Sequence, residues 1–238
     1  MNPATDRPAP LSMTQVLVCG AAIVTLSMGI RHGFGLWLQP MTMERGWSRE
    51  TFAFALAVQN LTWGLAGPIA GMVADRWGAL RVLVAAALLY ALGLVLMATA
   101  LTGAGLTGSA GLLIGMAQAG CTYAVVYGVL GRNVAADKRS WAMGVTAAAG
   151  SFGQFLMVPV ESWLIGHHGW QQALLLLGVA ALAIVPLAWG LKEPARLLGH
   201  AHAAQQTVRQ ALREAFGYRS FLLLMGGYFV CGFQVVFI

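Results

Sequence analysis

The chain has 238 residues, 58% of them hydrophobic and only 9% charged, with a formal net charge of +6. A soluble domain carries about 25% charged residues, and the apolar residues here run in unbroken blocks of bilayer-spanning length. Composition therefore excludes a globular soluble domain, and the cationic excess has to be read against membrane topology before nucleic acid is considered.

Residues 1–13 form a polar, proline-rich tail with Asp6 and Arg7. No short apolar core with a small-residue cleavage site follows, so a removable signal peptide is not expected. Residues 14–191 hold six apolar segments: Thr14–Leu38, Thr51–Val73, Val82–Leu101, Ser109–Leu130, Ser140–Gly166 and Gln172–Leu191. Each has about 18 residues or more, enough as a helix to cross a hydrocarbon core of about 30 Å. The runs do not alternate, which argues against strands. An all-α, multi-pass protein embedded in the lipid bilayer is expected.

Arg31 lies seven residues before the end of the first segment, about 10 Å inside it. A charge at that depth is costly unless it faces a cavity or a partner. Asp75 and Asp137 fall in loops and Glu161 near the end of its segment, so no carboxylate of the chain matches Arg31 in depth. Its partner is then an anion from elsewhere in a longer protein, or the ligand itself. The plainer alternative is a side chain that snorkels to the interface. In the second segment Gln59 and Asn60 lie about 12 Å deep. They face different ways, toward a cavity or into bridges between helices.

Between the second and third segments stands Gly71-Met72-Val73-Ala74-Asp75-Arg76-Trp77-Gly78-Ala79-Leu80-Arg81, a short charged hairpin. Gly71 and Gly78 permit a tight turn and close backbone approach. Asp75, ahead of the third helix, complements its positive amide end and can pair with Arg76, Arg81 or a cation from another loop.

This stretch resembles the loop signature between helices 2 and 3 of the major facilitator superfamily. Gly71, Asp75, Arg76 and Gly78 match the pattern; Ala79 and Leu80 depart from its usual basic pair, and the cation returns at Arg81. The resemblance implies a twelve-helix secondary transporter whose six-helix halves each contain two three-helix inverted repeats. This chain would be the amino-terminal half. It also implies that Gly71, Asp75, Arg76, Gly78 and Arg81 form a conformational latch on the cytoplasmic side, the alternative being an ordinary solvated turn.

The string Arg31-His32-Gly33-Phe34-Gly35-Leu36-Trp37-Leu38-Gln39-Pro40 is similar to the end of helix 1 in monocarboxylate and oxalate/formate-type transporters. There a lysine near this position is implicated in binding the carboxylate. Carried over, Arg31 would form a bidentate pair with a carboxylate. Arg in place of Lys argues against passing a proton through this residue.

In the resembled family helices 1, 4, 7 and 10 line the cavity. On helix 4 these are Gln118, Tyr123 and Tyr127, the tyrosines four apart on one face. The candidate substrate-binding set is therefore Arg31, Gln59, Asn60, Gln118, Tyr123, Tyr127 and, on the seventh helix, Tyr228, with Gln234 beside it; packing is the alternative for each tyrosine. Glu161 lies about 31 Å along the fifth helix, near the outer interface, as a solvated carboxylate or as a gate or proton carrier. Gly111, Gly115, Gly144, Gly150 and Gly153 suit close helix packing, and Ser151 and Gln154 suit interhelical contacts.

Residues 192–220 are a polar linker. Within it Val208, Leu212, Ala215 and Phe216 recur at helical spacing beside Arg209 and Arg213, which reads as an amphipathic helix on the inner membrane surface. Phe221–Ile238 is a seventh apolar segment that stops in mid-apolar sequence. A truncated seventh helix of a longer protein is expected; the alternative is a genuine seven-helix protein.

With the amino terminus in the cytoplasm, Arg7, Arg76, Arg81, Arg132, Lys138, Arg139, Lys192, Arg196, Arg209, Arg213 and Arg219 fall inside, and only Arg45 and Arg49 outside. This asymmetry follows the positive-inside rule and accounts for the charge without nucleic acid. The location implied is the plasma (inner) membrane. Cys19, Cys121 and Cys231 sit in apolar segments as packing residues, and His167-His168 lacks a third ligand, so no cofactor or metal is expected.

The expected function is secondary active transport of a small organic anion, a mono- or dicarboxylate, by alternating access. It would be coupled to a proton or a counter-substrate, in a protein monomeric when full length. A non-transporting sensor or receptor on the same fold is the alternative. A membrane enzyme is not expected: Gly150-Ser151-Phe152-Gly153 poorly imitates a serine-protease motif, and no His-Glu-x-x-His site exists. A retinal protein would need an intramembrane lysine, whereas Lys138 and Lys192 lie in loops.

Overall fold

The computed structural model describes residues 11–193 and 208–237. Arg7, Arg196, His200 and His202, with most of the amino-terminal tail and part of the linker, lie outside the described residues, as does the side chain of Gln234. The described residues form helices: α1 (Met13–His32), α2 (Phe34–Arg45), α3 (Arg49–Trp77), α4 (Ala79–Thr99), α5 (Gly103–Leu106), a π-helical stretch (Thr107–Leu113), α6 (Ile114–Cys121), α7 (Tyr123–Asn133), α8 (Ala136–Leu182), α9 (Ile184–Trp189), α10 (Val208–Gly217) and α11 (Arg219–Phe237).

Local signals explain where these helices start and turn. Ser12 and Ser48 cap α1 and α3 by accepting from the amides of Gln15 and Thr51 at 3.1 and 3.2 Å, the usual service of an N-cap serine. Gly46 ends α2 with φ 66°, and Gly78 alone makes the turn from α3 to α4 with φ 92°; both conformations favour glycine.

Five continuous helical stretches are long and apolar enough to cross a membrane: Met13–Arg45, Arg49–Trp77, Ala79–Thr99, Gly103–Asn133 and Ala136–Trp189. The last has 54 residues, about 80 Å of helix if straight, far more than one crossing needs. Contacts show that it crosses twice. Thr25 of α1 donates its hydroxyl to Ala149 O at 2.9 Å, and Gly33 faces Glu161, so residues 136–168 run alongside α1 in the same direction. At Gly169 the backbone leaves the helix (φ 76°, ψ 161°). Gly178 then packs on Ala91 and Leu94 of α4, and Gly190 reaches Cys19 near the start of α1. The result is six crossings, as the six apolar segments predict.

Two faces can be named from these contacts. Gln15 donates to Gly190 O at 2.9 Å, and Asp75, Arg132 and Glu193 form ion pairs; this is the near face. Trp170 donates its indole N–H to Glu44 at 2.5 Å, and Thr51 lies against Gly103, on the far face.

The tightest crossing is between α1 and α8. A Cβ on Gly153 would lie 2.7 Å from Thr25 Cα, and one on Gly29 would lie 2.8 Å from Gly153 O, so backbones meet directly, as small residues allow in membranes. Gly111 and Gly115 similarly seat α3, against the carbonyls of Ala55 and Gln59. Gly144, expected to do the same, faces open space. Trp37, Ile23, Ile30, Tyr90, Leu83 and Leu94 fill the core. Phe54, Leu61, Leu65 and Val179 are exposed, as suits surface in contact with lipid. Helices α10 and α11 form a separate unit, in which the rings of Phe216 and Phe221 meet edge-on at 5.8 Å.

Candidate functional site

Arg31 lies roughly midway along the 33-residue stretch Met13–Arg45. This is deeper than the sequence suggests, because the helix continues through Pro40 to Arg45. Half-buried, it reaches toward α3, where Nη2 donates to Asn60 Oδ1. Its guanidinium lies 4.7 Å from the Trp63 ring centroid, a cation–π contact. Asn60 is oriented by donating Nδ2 to Leu56 O at 3.0 Å, and Trp63 by donating Nε1 to Thr122 Oγ1 at 3.2 Å. Thr122 marks a break between α6 and α7, with φ −113° and ψ −157°, and donates to Gln118 O at 2.7 Å. The buried Arg31 Nε has no partner among the described residues. The cation thus rests on an amide oxygen and an aromatic face, with a donor left over for an anion.

Other residues expected on a cavity wall lie elsewhere. Gln59 is buried and donates to Ala110 O at 2.8 Å, bridging α3 to the π-helical stretch. Gln118 is also buried and donates to Tyr90 Oη at 2.7 Å and to Ser27 O at 3.1 Å; Tyr90 in turn donates to Ser27 O at 3.1 Å. These amides serve the interior because unpaired polar groups there are costly. Tyr123 and Tyr127 are half-buried with ring centroids 5.3 Å apart. Both lean toward α8: the Tyr123 hydroxyl sits against Gly150, and Tyr127 donates to Met143 O at 3.3 Å. Tyr228 belongs to α11 of the second unit.

Glu161 departs most from expectation. It is fully buried rather than solvated. Gly150, Gly153, Met157 and Glu161 form the buried seam of α8, with the spacing of a helix face turned toward a neighbour. Its carboxyl occupies the space in front of Gly33, where any Cβ would collide with it. Both oxygens, and the Trp37 indole nitrogen, are buried without a hydrogen-bond partner among the described residues.

The hairpin also needs correction. Asp75 lies within the last turn of α3, not ahead of the next helix. Its partner is neither Arg76, which stacks 5.7 Å from its neighbour Trp77, nor the exposed Arg81. Arg132 of α7 takes that role, and also binds Glu193 through two hydrogen bonds of 2.9 Å. Asn133 adds a third to Glu193 at 2.9 Å. Gly71 is inside α3 and faces open space, so it makes neither a turn nor a close approach within the described residues. Arg132 is the cation from another part of the near face that the sequence allows for Asp75, whereas Trp63, Tyr90 and Glu193 join these clusters without a local sequence signal.

A profile described as Major Facilitator Superfamily matches residues 17–238. The chain belongs to the major facilitator superfamily. Within this superfamily it is 30% identical over 223 residues to "Monocarboxylate transporter 11" of Mus musculus, covering 90% of this chain and 49% of that protein. It is 30% identical over 186 residues to "Gallate transporter" of Pseudomonas putida, covering 76% and 40%. The inward-open structure of the xylose transporter XylE from E. coli superposes with a TM-score of 0.66 at 15% identity, covering 91% of this chain and 55% of that one. That likeness supports the superfamily fold. The chain spans about half the length of the curated relatives it matches.

Proposed function

We propose that the protein is a secondary transporter of a small organic anion, a mono- or dicarboxylate, working by alternating access. The observation that carries this reading is Arg31: a half-buried guanidinium near the middle of the bundle, held by Asn60 and Trp63, with a buried donor unpaired among the described residues. A carboxylate would take that donor in a charge-assisted hydrogen bond. Two relatives at 30% identity are named for carboxylates, monocarboxylates and gallate. Both those names and the family fold favour transport over catalysis.

In this reading Arg31 and Asn60 bind the substrate, Gln59 and Gln118 brace the helices behind them, and Tyr123 and Tyr127 hold the neighbouring face of α8. The near face is cytoplasmic in a plasma membrane, supported by Arg76, Arg81, Arg132, Lys138, Arg139 and Lys192 beside it against Arg45 and Arg49 opposite. The Gly71–Arg81 hairpin, with Gly78 as its turn, acts there as a latch through Asp75 and Arg132, with Arg76 and Arg81 facing the interface. A proton or a counter-substrate drives the cycle, Glu161 being the proton or gate residue, in a monomeric whole protein. The test is uptake of radiolabelled lactate, succinate and gallate by cells expressing the whole protein. Saturable uptake lost in Arg31→Gln supports the reading; uptake unchanged by that substitution overturns it.

A further inference from the structure

Glu161 is fully buried and, unlike the buried Glu193 with its Arg132, has no cation in contact among the described residues, and its surroundings are shaped for it. Gly33 stands opposite, and its missing side chain is the space the carboxyl fills. Gly33 is also where the first crossing breaks: α1 ends at His32 and α2 begins at Phe34. No described residue gives either carboxyl oxygen a hydrogen bond. A carboxylate anion sealed in that seat would lack both water and a counter-charge, which is heavily unfavourable, whereas a neutral acid fits it.

The groups that could supply a counter-charge face elsewhere. On α1, Arg31 turns to Asn60 and Trp63. His32 is exposed and lines a cleft of about 470 Å³ with Ser151, Gln154, Val158 and Pro159, beside the seat. On α2 the Trp37 indole N–H is the nearby donor, uncharged and without hydrogen-bond geometry to the Glu161 carboxyl. On α4, the Tyr90 hydroxyl is engaged with Ser27 and Gln118. On α7, Tyr123 sits at Gly150, and within α8 His167 and His168 pack on Trp163.

We propose that Glu161 is the binding site for the coupling proton, and that its seat at the Gly33 break links proton occupancy to the arrangement of the first and fifth crossings. This rests on the transport reading above. In balance, a carboxylate oxygen takes one proton from water on one side of the membrane, and the neutral acid closes onto Gly33. Opening of the seat returns that proton to water on the other side. Arg31, two residues from the break and facing away from Glu161, carries the anion on the same helix. One proton moving with one monocarboxylate makes the cycle electroneutral.

The experiment uses the whole protein in liposomes, with radiolabelled lactate and gallate as probes. Wild type is expected to accumulate at least one of them under an acid-outside gradient, and to exchange it at equal pH. Glu161→Gln, which mimics the neutral acid, is expected to keep exchange and lose accumulation above equilibrium; Glu161→Asp keeps part of both. Gradient-driven accumulation by Glu161→Gln equal to wild type overturns the inference and leaves the transport reading standing. A Glu161→Gln protein that neither exchanges nor accumulates is decided in detergent, by the proton uptake accompanying ligand binding. Proton uptake equal to wild type overturns the inference, and its loss with binding intact supports it. Failure of wild type to bind, exchange or accumulate any probe overturns the transport reading and this inference together.

Discussion

Arg132 grips Glu193 through two parallel hydrogen bonds, Nε to Oε1 and Nη2 to Oε2, each 2.9 Å. The pair joins the end of the fourth crossing to the end of the sixth, and Asp75 adds the second crossing through the same guanidinium. The Glu193 side chain is fully buried while that of Asp75 is 46% exposed. The two acids should therefore differ sharply in their contributions. Arg132→Leu leaves a buried carboxylate without its cation and is expected to cost about 3–5 kcal/mol. Asp75→Asn removes an ion pair whose acid is half exposed and leaves Arg132 its bonds to Glu193, so it is expected to cost about 1 kcal/mol. Arg132→Lys falls between, because an ammonium cannot reproduce the fork. Denaturant or thermal unfolding in detergent measures all three; equal losses for Arg132→Leu and Asp75→Asn would contradict the assignment.

Gly33 and Glu161 share one space. Gly33→Ala is expected to destabilise by about 1–3 kcal/mol through overpacking. Shortening the acid should relieve this, so Gly33→Ala combined with Glu161→Ala is expected to be less damaging than the sum of the two changes. Additive losses in a double-mutant cycle would mean that the two residues do not touch.

Two glycines of α8 offer an internal control. Gly153 meets the Thr25 backbone and Gly144 meets open space. Gly153→Ala is expected to cost about 1–3 kcal/mol, and Gly144→Ala no more than about 0.5 kcal/mol. Matched unfolding curves decide the point, and equal effects would refute the α1–α8 crossing described here.

Arg31 should behave as a fork and not only as a charge. Arg31→Lys is expected to weaken carboxylate binding about 10- to 100-fold, the equivalent of one charge-assisted hydrogen bond. Trp63→Leu removes the ring beneath the guanidinium and is expected to weaken binding by a smaller factor, about 2- to 5-fold. Ligand affinity of the purified whole protein reads both, and full affinity in Arg31→Lys would rule out bidentate recognition.

Much of this architecture is legible in the chain because the free energy of placing a helix in lipid is a sum over its own residues. Block length alone predicts the six crossings. Gly169 divides the longest helix where the sequence already places a loop between two segments. Helix ends are less legible: Gln39, Pro40 and Thr42 look like loop, yet α2 runs through them, with Thr42 bonding back to Leu38 O at 2.6 Å. The burial of Glu161 was also encoded, in the spacing of Gly150, Gly153, Met157 and Glu161, although polarity alone sends a glutamate to the interface.

Pairings between distant segments follow a different rule. Arg132 meets Glu193 across 61 positions of sequence, and Gln118 meets Tyr90 across 28. No local period contains those distances. Helix length and facing depend on neighbours within a few turns, so hydrophobic pattern specifies them. Which of several cations answers Asp75, and which side chain Arg31 rests on, depends on how six helices rotate and slide against one another. That is set by the contacts of small residues such as Gly29, Gly115 and Gly153 across the bundle, and it exists only once the helices are packed.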